Sequence, residues 1–199
     1  MLILKIMRLF TIFFTSFRTC FYSIVLGTKL KKIGKNVKFD INGKAIFGKS
    51  LTIEDGATII VEKGAELKIG DNVFIGEGTC IKCYSGNIKI GDYVSINSKS
   101  FLNGAGGLVI GSNTRIGTQT VIISSNHIFE DKDVLIKDQG TSRAGIAIGK
   151  DVWLGARVTI LDGVFIKDRI VVGACSLVNK TITENGVYVG IPARKVKDI

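Results

Sequence analysis

A single histidine, a single proline and a single tryptophan occur in this 199-residue chain, and the histidine count already removes a class of protein. One imidazole, His127, excludes a metal site built from several histidines within one chain. Four cysteines (Cys20, Cys80, Cys83, Cys175) are too few for a disulfide scaffold of this length and fit a reducing compartment. Cys80-x-x-Cys83 has no second pair and no histidine cluster to complete a zinc site, so structural filling is expected. Acids are scarce at one end: residues 1–50 hold ten basic side chains against Asp40 alone, while the rest is nearly balanced, 17 basic against 16 acidic. Of the formal charge of +10, all but one unit therefore belongs to the N-terminal quarter. With no basic stripe interleaved with aromatics further on, nucleic acid is excluded as a partner. What the chain does have is 24 glycines and 46% hydrophobic residues, too apolar for disorder and too glycine-punctuated for a helical bundle. One β-rich domain plus a short appendage fits the length.

Residues 2–26 are the most hydrophobic stretch, yet Lys5, Arg8 and Arg18 interrupt it. A membrane span drawn from Leu9 to Thr28 would bury Arg18 near its centre, at a cost of about 2.5–3.5 kcal/mol. At 100° per residue, Lys5, Arg8, Thr11, Thr15, Ser16, Arg18, Thr19 and Ser23 share one arc. Ile3, Ile6, Met7, Phe10, Phe13, Phe14, Phe17, Phe21, Ile24 and Val25 take the opposite one. That pattern predicts an amphipathic helix over 1–30 lying in a membrane interface, with Lys29, Lys31, Lys32 and Lys35 adding attraction to anionic lipid, so that residues 1–35 form the membrane-binding region. A helix packed on the protein's own body or on a neighbouring subunit is the alternative. No small-x-small site near Gly27 supports a cleaved secretory signal.

From Ile33 onward an aliphatic residue returns every six positions. The beat is clearest at Ile69, Ile75, Ile81, then Ile90, Ile96, Leu102, then Ile110, Ile116, Ile122, and later at Ile148, Leu154, Ile160, Ile166, Val172 and Val178. Six is neither the 3.6 of an amphipathic helix nor the 2 of a half-buried strand. It predicts a solenoid in which three hexads make a coil of roughly eighteen residues, with the aliphatics stacked inside a triangular prism. Weaker hexads at Ile33, Phe39, Ile53 and Ile59 bring the total to about seven coils over 31–199. Glycine is expected at the corners, as in Ile69-Gly70-Asp71-Asn72-Val73, for its backbone freedom. The beat fails between Ile122 and Ile148, where an inserted polar loop, 126–147, carries the only histidine at its root.

The hexads, the histidine loop, Ile148-Gly149-Lys150-Asp151-Val152-Trp153-Leu154-Gly155, Val172-Gly173-Ala174-Cys175-Ser176-Leu177-Val178-Asn179-Lys180 and Gly190-Ile191-Pro192-Ala193-Arg194 together resemble the hexapeptide-repeat acyltransferases. The nearest likeness is to the galactoside and maltose O-acetyltransferase group and its relatives that acetylate bacterial surface polysaccharides. The resemblance implies an all-β, left-handed parallel β-helix following the N-terminal amphipathic α-helix, assembled as a homotrimer with active sites between prisms. It implies acetyl-CoA as donor, a sugar or glycan hydroxyl as acceptor, and no metal. His127 takes the general base's place, Asn97 that of the acceptor-binding asparagine, and the Ala156 amide that of the oxyanion donor. Trp153 and Ala174 stand where the family contacts coenzyme A, and Lys180, Arg194 and Lys197 where its phosphates would be met. Glu130 or Asp131 would be the loop acids to orient His127. The sugar-binding N-terminal segment of the galactoside and maltose enzymes is replaced here by the basic hydrophobic helix, so sugar choice does not carry over. The helix points to an enzyme at the inner face of the cytoplasmic membrane. N-acetylation of a nucleotide-linked amino sugar and a non-catalytic, membrane-tethered trimeric scaffold are the competing functions.

Overall fold

In the computed structural model the backbone is described for residues 2–199 and side chains from residue 10 onward; Ile3, Lys5, Ile6, Met7 and Arg8, assigned above to the helix faces, have side chains outside the described residues. Helix α1 spans Leu2–Val25. The remainder winds into a parallel β-helix of about seven coils with three walls. The first wall begins Lys32–Ile33, Thr52–Ile53, Phe74–Ile75, Ser95–Ile96, Arg115–Ile116, Trp153–Leu154 and Ile170–Val172. Lys38–Ile41, Thr58–Val61, Cys80–Cys83, Phe101–Asn103, Val121–Ile123, Thr159–Ile160 and Leu177–Val178 make the second wall. The third runs from Lys44–Phe47 to Phe165–Ile166.

Register explains the core. Ile33, Ile53, Ile75, Ile96, Ile116, Leu154 and Val172 pair in line up the first wall, and all are buried. Each contributes about 1.5–3 kcal/mol as its apolar surface leaves water. The same registers set the coil length: 20–22 residues from Ile33 to Ile116, contracting to the expected 18 only from Leu154 to Val172. The extra residues collect at one corner, between second and third walls, as the turns at 42–43, 62–65, 84–87 and 104–107. The long loop is the same corner's largest excursion, leaving after Val121–Ile123 and rejoining the third wall at Ile146–Ile148.

Glycine works differently from expectation. Left-handed backbone falls on Asn72 (φ 56°) and Tyr93 (φ 58°), whereas Gly70 and Gly91 are absent from that region. Those two are glycine because the next coil lies against them: a Cβ on Gly91 would come 2.6 Å from the Ser112 amide nitrogen. Close coil stacking, more than a special φ, selects glycine there. Asp side chains fasten the same corner, with Asp71 and Asp92 each accepting a backbone N–H from the coil before (Lys49, 2.7 Å; Asp71, 2.8 Å).

Both ends of the prism expose strand edges that need covering. At the start, α1 does this with its polar side. Thr19 Oγ1 accepts the Ile33 N–H (3.2 Å), Arg18 Nε–H donates to the Ile33 carbonyl (3.0 Å), and Ser23 Oγ accepts the Leu30 N–H (3.1 Å). Tyr22 and Leu26 pack on the core between them. The opposite face, Phe10, Phe13, Phe14, Phe17, Phe21 and Ile24, points outward, with Phe17 66% and Ile24 77% exposed. Arg18, assigned above to the polar arc of a helix lying in a membrane interface, is engaged with the protein's own first coil. At the other end Gly186–Val189 and the charged strand Arg194–Lys197 extend the first wall as an antiparallel pair.

Candidate active site

His127 lies in the short strand Asn126–His127, which pairs antiparallel with Thr141–Ser142 and closes the loop's base. The Ile128 N–H donates to the Gly140 carbonyl (3.1 Å), and Gln139 ties the tip by donating to the Asp131 and Val134 carbonyls (2.8 Å each). This pairing holds an exposed imidazole on a braced hairpin at the corner between second and third walls. The loop acids serve the loop: Glu130 accepts the Phe129 N–H and Asp131 the Asp133 N–H, and neither bonds His127. Among the described residues, no hydrogen bond or ion pair holds the imidazole from within the chain.

The other candidates occupy a different edge. Asn97 follows Ser95–Ile96 at the corner between first and second walls, where its Nδ2 donates to the Ile116 carbonyl (2.8 Å). Ala156 and Ala174 sit at the same corner on later coils, in direct succession: a Cβ on Gly155 would come 2.5 Å from the Ala174 nitrogen. The Ala156 and Ala174 amides donate to no acceptor among the described residues, leaving preorganised N–H groups along this edge; those of Ser98 and Thr118 on earlier coils are similarly free. Trp153 stands on the outer surface of the first wall, 58% exposed, so burial does not account for it. Lys180 and Arg194 line one cavity of about 370 Å³ at the C-terminal end. Lys197 lies at the far end of Arg194's own strand, Arg194–Lys197, outside that lining. None of these three cations is ion-paired among the described residues, whereas neighbouring Lys195 bonds Asp198 (2.7 Å) and Glu184 (3.4 Å).

One chain thus brings together Asn97, Ala156 and Ala174 along one edge and places His127 on another. An outward strip of Val109, Ala147 and Phe165, in register across three coils of the third wall, flanks a hollow of about 430 Å³ that reaches the loop's end at Ala144 and Gly145. Beside the loop root is a smaller cavity, about 180 Å³, lined by Tyr84, Asn103, Ala105, Ser125, Thr141 and Arg143. Sequence reasoning missed this group. Its signal was the hairpin register, which returns Arg143 to the root two residues past Thr141 and within reach of the Ser85 hydroxyl. Cys80 and Cys83 face opposite sides of one strand; Cys83 is buried and its thiol is pushed up to about 11 by that burial. No cluster of metal-binding side chains occurs among the described residues.

No family model matches the chain. Individual proteins do. It is 31% identical over 151 residues to WbbJ of Escherichia coli, named as a lipopolysaccharide biosynthesis O-acetyl transferase, covering 69% of this chain and 74% of that protein. The chain belongs to the hexapeptide-repeat acyltransferases. A second member of that family, the E. coli galactoside O-acetyltransferase, is 31% identical over 131 residues, covering 66% of this chain and 63% of the enzyme. An acetyltransferase of Mycobacterium tuberculosis is 31% identical over 134 residues, and this chain spans 45% of its length. In fold the chain is similar to an N-acyltransferase from Bacillus cereus solved with dTDP and coenzyme A, at a TM-score of 0.59 and 20% identity, over 86% of this chain and 82% of that one.

Proposed function

We propose that the protein transfers an acetyl group from acetyl-CoA to a sugar hydroxyl of a surface polysaccharide (capsule, exopolysaccharide or O-antigen) under construction. The observation that carries the reading is the braced hairpin holding the lone, exposed His127 at the root of the one long loop. An alcohol is a poor nucleophile near neutral pH, and a neutral imidazole removes its proton as the oxygen attacks the thioester carbonyl. The resulting oxyanion is met by the Ala156 N–H, a donor with no competing acceptor among the described residues. Collapse breaks the C–S bond, the imidazolium returns its proton to the departing thiolate, and an acetyl ester and free coenzyme A remain. Asn97 positions the acceptor. Trp153 and the Ala174 amide hold the pantetheine arm, while Lys180, Arg194 and Lys197 meet the coenzyme's phosphates.

The active unit in this reading is a homotrimer. The apolar strip of Val109, Ala147 and Phe165 supports it, because a neighbouring prism seated there would bring its Asn97–Ala174 edge toward His127. The enzyme works as a peripheral protein at the inner face of the cytoplasmic membrane, and no helix among the described residues is long and apolar enough to cross one. Transfer to the amine of a nucleotide-linked sugar is the second reading. It is favoured by 28% identity over 174 residues to the E. coli dTDP-4-amino-4,6-dideoxy-D-glucose acyltransferase, covering 84% of this chain.

Thiol release from acetyl-CoA in the presence of glycan acceptors tests the chemistry. The acetyl-transfer reading expects turnover in the wild type and a loss of at least about 100-fold in His127→Ala, since a positioned base contributes roughly 10²–10⁴. Equal turnover in both would remove His127 from the mechanism. Unchanged trimer assembly with no turnover in either protein would leave the scaffold.

A further inference from the structure

The N-terminal helix is amphipathic in an inverted sense. Its hydrogen-bonding side is consumed by the prism: Ile33 N–H and C=O, the edge groups that point away from the second coil, are both bonded by α1 side chains. The aromatic side therefore faces along the prism axis, away from the body, and Phe10, Phe13, Phe14, Phe17, Phe21 and Ile24 are all exposed there. An apolar face this broad, on a helix of 24 residues, marks a contact surface.

Charge identifies what covers it. Lys29, Lys31 and Lys35, on the coil that α1 caps, are exposed, and among the described residues none of them is ion-paired, whereas Lys32 is held by Glu54 (2.8 Å). Asp40 is the only acid before residue 50. Unpaired ammonium groups beside an aromatic helix, with Lys29 and Lys31 lining a hollow against its polar flank at Thr15, Thr19 and Ser23, fit the interface of an anionic bilayer, with rings among the acyl chains and lysines at the phosphates.

We propose that α1 stands the prism on end on an anionic membrane, and that the height this imposes on His127 selects a lipid-linked oligosaccharide as acceptor. The second half rests on the acetyl-transfer reading above. His127 follows the fifth strand of the second wall, four coil steps above the first. At about 4.8 Å per step that is roughly 19 Å, and α1 adds up to about 10 Å of its own diameter. The candidate base thus stands some 20–30 Å from the headgroups. A lipid-linked monosaccharide would fall short of it, and an acceptor carrying several sugars between its lipid phosphate and the reacting hydroxyl would reach it. In a trimer of parallel prisms three such helices lie at the same end and act together.

The test uses the full chain and a triple variant, Phe13→Ser, Phe17→Ser and Phe21→Ser, whose sites are exposed and whose circular dichroism should match wild type. Vesicles of phosphatidylglycerol and phosphatidylethanolamine should sediment the wild type, phosphatidylcholine vesicles should do so weakly, and the variant should lose at least tenfold. Equal sedimentation of both proteins, or none of the wild type, would overturn the proposal. So would a doubled solution mass in the wild type that the variant lacks, because a second copy would then cover the face. Orientation is read from the single tryptophan: Trp153, on the sixth strand of the first wall, should stay unquenched by brominated lipids. Phe17→Trp in a Trp153→Phe background should be quenched. Quenching of Trp153 would mean the prism lies flat. On vesicles the wild type should acetylate a lipid-linked oligosaccharide and spare the lipid-linked monosaccharide; the reverse preference refutes the height argument while leaving acetyl transfer intact. The triple variant should retain activity on a soluble oligosaccharide, so loss of binding and loss of chemistry remain distinguishable.

Discussion

Replacing Gly155 with Ala places a methyl group 2.5 Å from the Ala174 nitrogen and 2.9 Å from its Cα. Relaxed non-bonded contacts need about 3.5 Å, so the two coils must part by roughly 1 Å, a fifth of their spacing. Gly155 is not in the left-handed region, and the substitution acts through this contact alone. Overpacking of this kind costs about 1–3 kcal/mol. Its particular consequence is local, since the displaced groups are the Ala156 and Ala174 amides that the proposed mechanism uses. A displacement of about 1 Å at the reacting centre is worth about 100-fold in rate. Gly91→Ala provides the control: its methyl would meet the Ser112 nitrogen at 2.6 Å, a similar clash at another corner, far from those amides. Thermal unfolding should show both variants destabilised alike, by about 2–12 °C for a chain of this size. Steady-state acetyl transfer should separate them, with kcat/KM down by one to two orders of magnitude in Gly155→Ala and near wild type in Gly91→Ala. Equal activity losses in the two, or full activity in Gly155→Ala, would refute the placement of the oxyanion site at this corner.

Other perturbations follow from contacts already described. Arg18→Met removes the cap on the Ile33 carbonyl and should lower stability by about 1–3 kcal/mol in urea titration; an unchanged midpoint would mean that α1 does not cap the prism in solution. Lys180→Ala and Arg194→Ala should each raise KM for acetyl-CoA severalfold with little change in kcat, an effect that shrinks in high salt. Burial raises the Cys83 thiol from 9.0 to about 11, so the folded protein keeps this proton where the unfolded chain loses it. Its contribution to stability is complete below pH 9 and disappears between pH 9 and 11. At pH 8, exposed Cys20 and Cys175 should alkylate quickly and Cys83 only on unfolding; rapid labelling of Cys83 in the native protein would contradict its place in the core.

The parts of this structure that were legible in the sequence are those the six-residue beat controls. Ile69, Ile90, Ile110 and Ile148 stack because they recur on one inward face, and register follows from burial. Coil length was not legible, because the corner between second and third walls accepts extra residues without disturbing either strand, and the turn at 62–65 buries nothing that a periodicity would reveal except Ala65. The role of Gly70 is illegible for a related reason: a glycine needed for close approach and one needed for φ look identical in sequence. Both faces of α1 were visible, but their direction was not. Thr19 and Ser23 bond water and an open strand edge equally well, and only the unpaired edge of Ile33 decides between them. The candidate site is partly legible for a comparable reason. Periodicity puts Asn97 and Ala156 on one edge, while the pairing of His127 with Thr141 inside an aperiodic loop, and the return of Arg143 with it, depend on a hairpin that the beat does not encode.

Mass spectrometry of oligosaccharide acceptors incubated with acetyl-CoA and either wild-type protein or His127→Ala reads acetyl transfer and its base in one experiment. The account predicts an acetyl adduct with the wild type only, lost on mild alkaline treatment as an ester is. An alkali-stable adduct on an amino sugar would place the protein among the N-acyltransferases, and an adduct formed equally well by His127→Ala would contradict the assigned base.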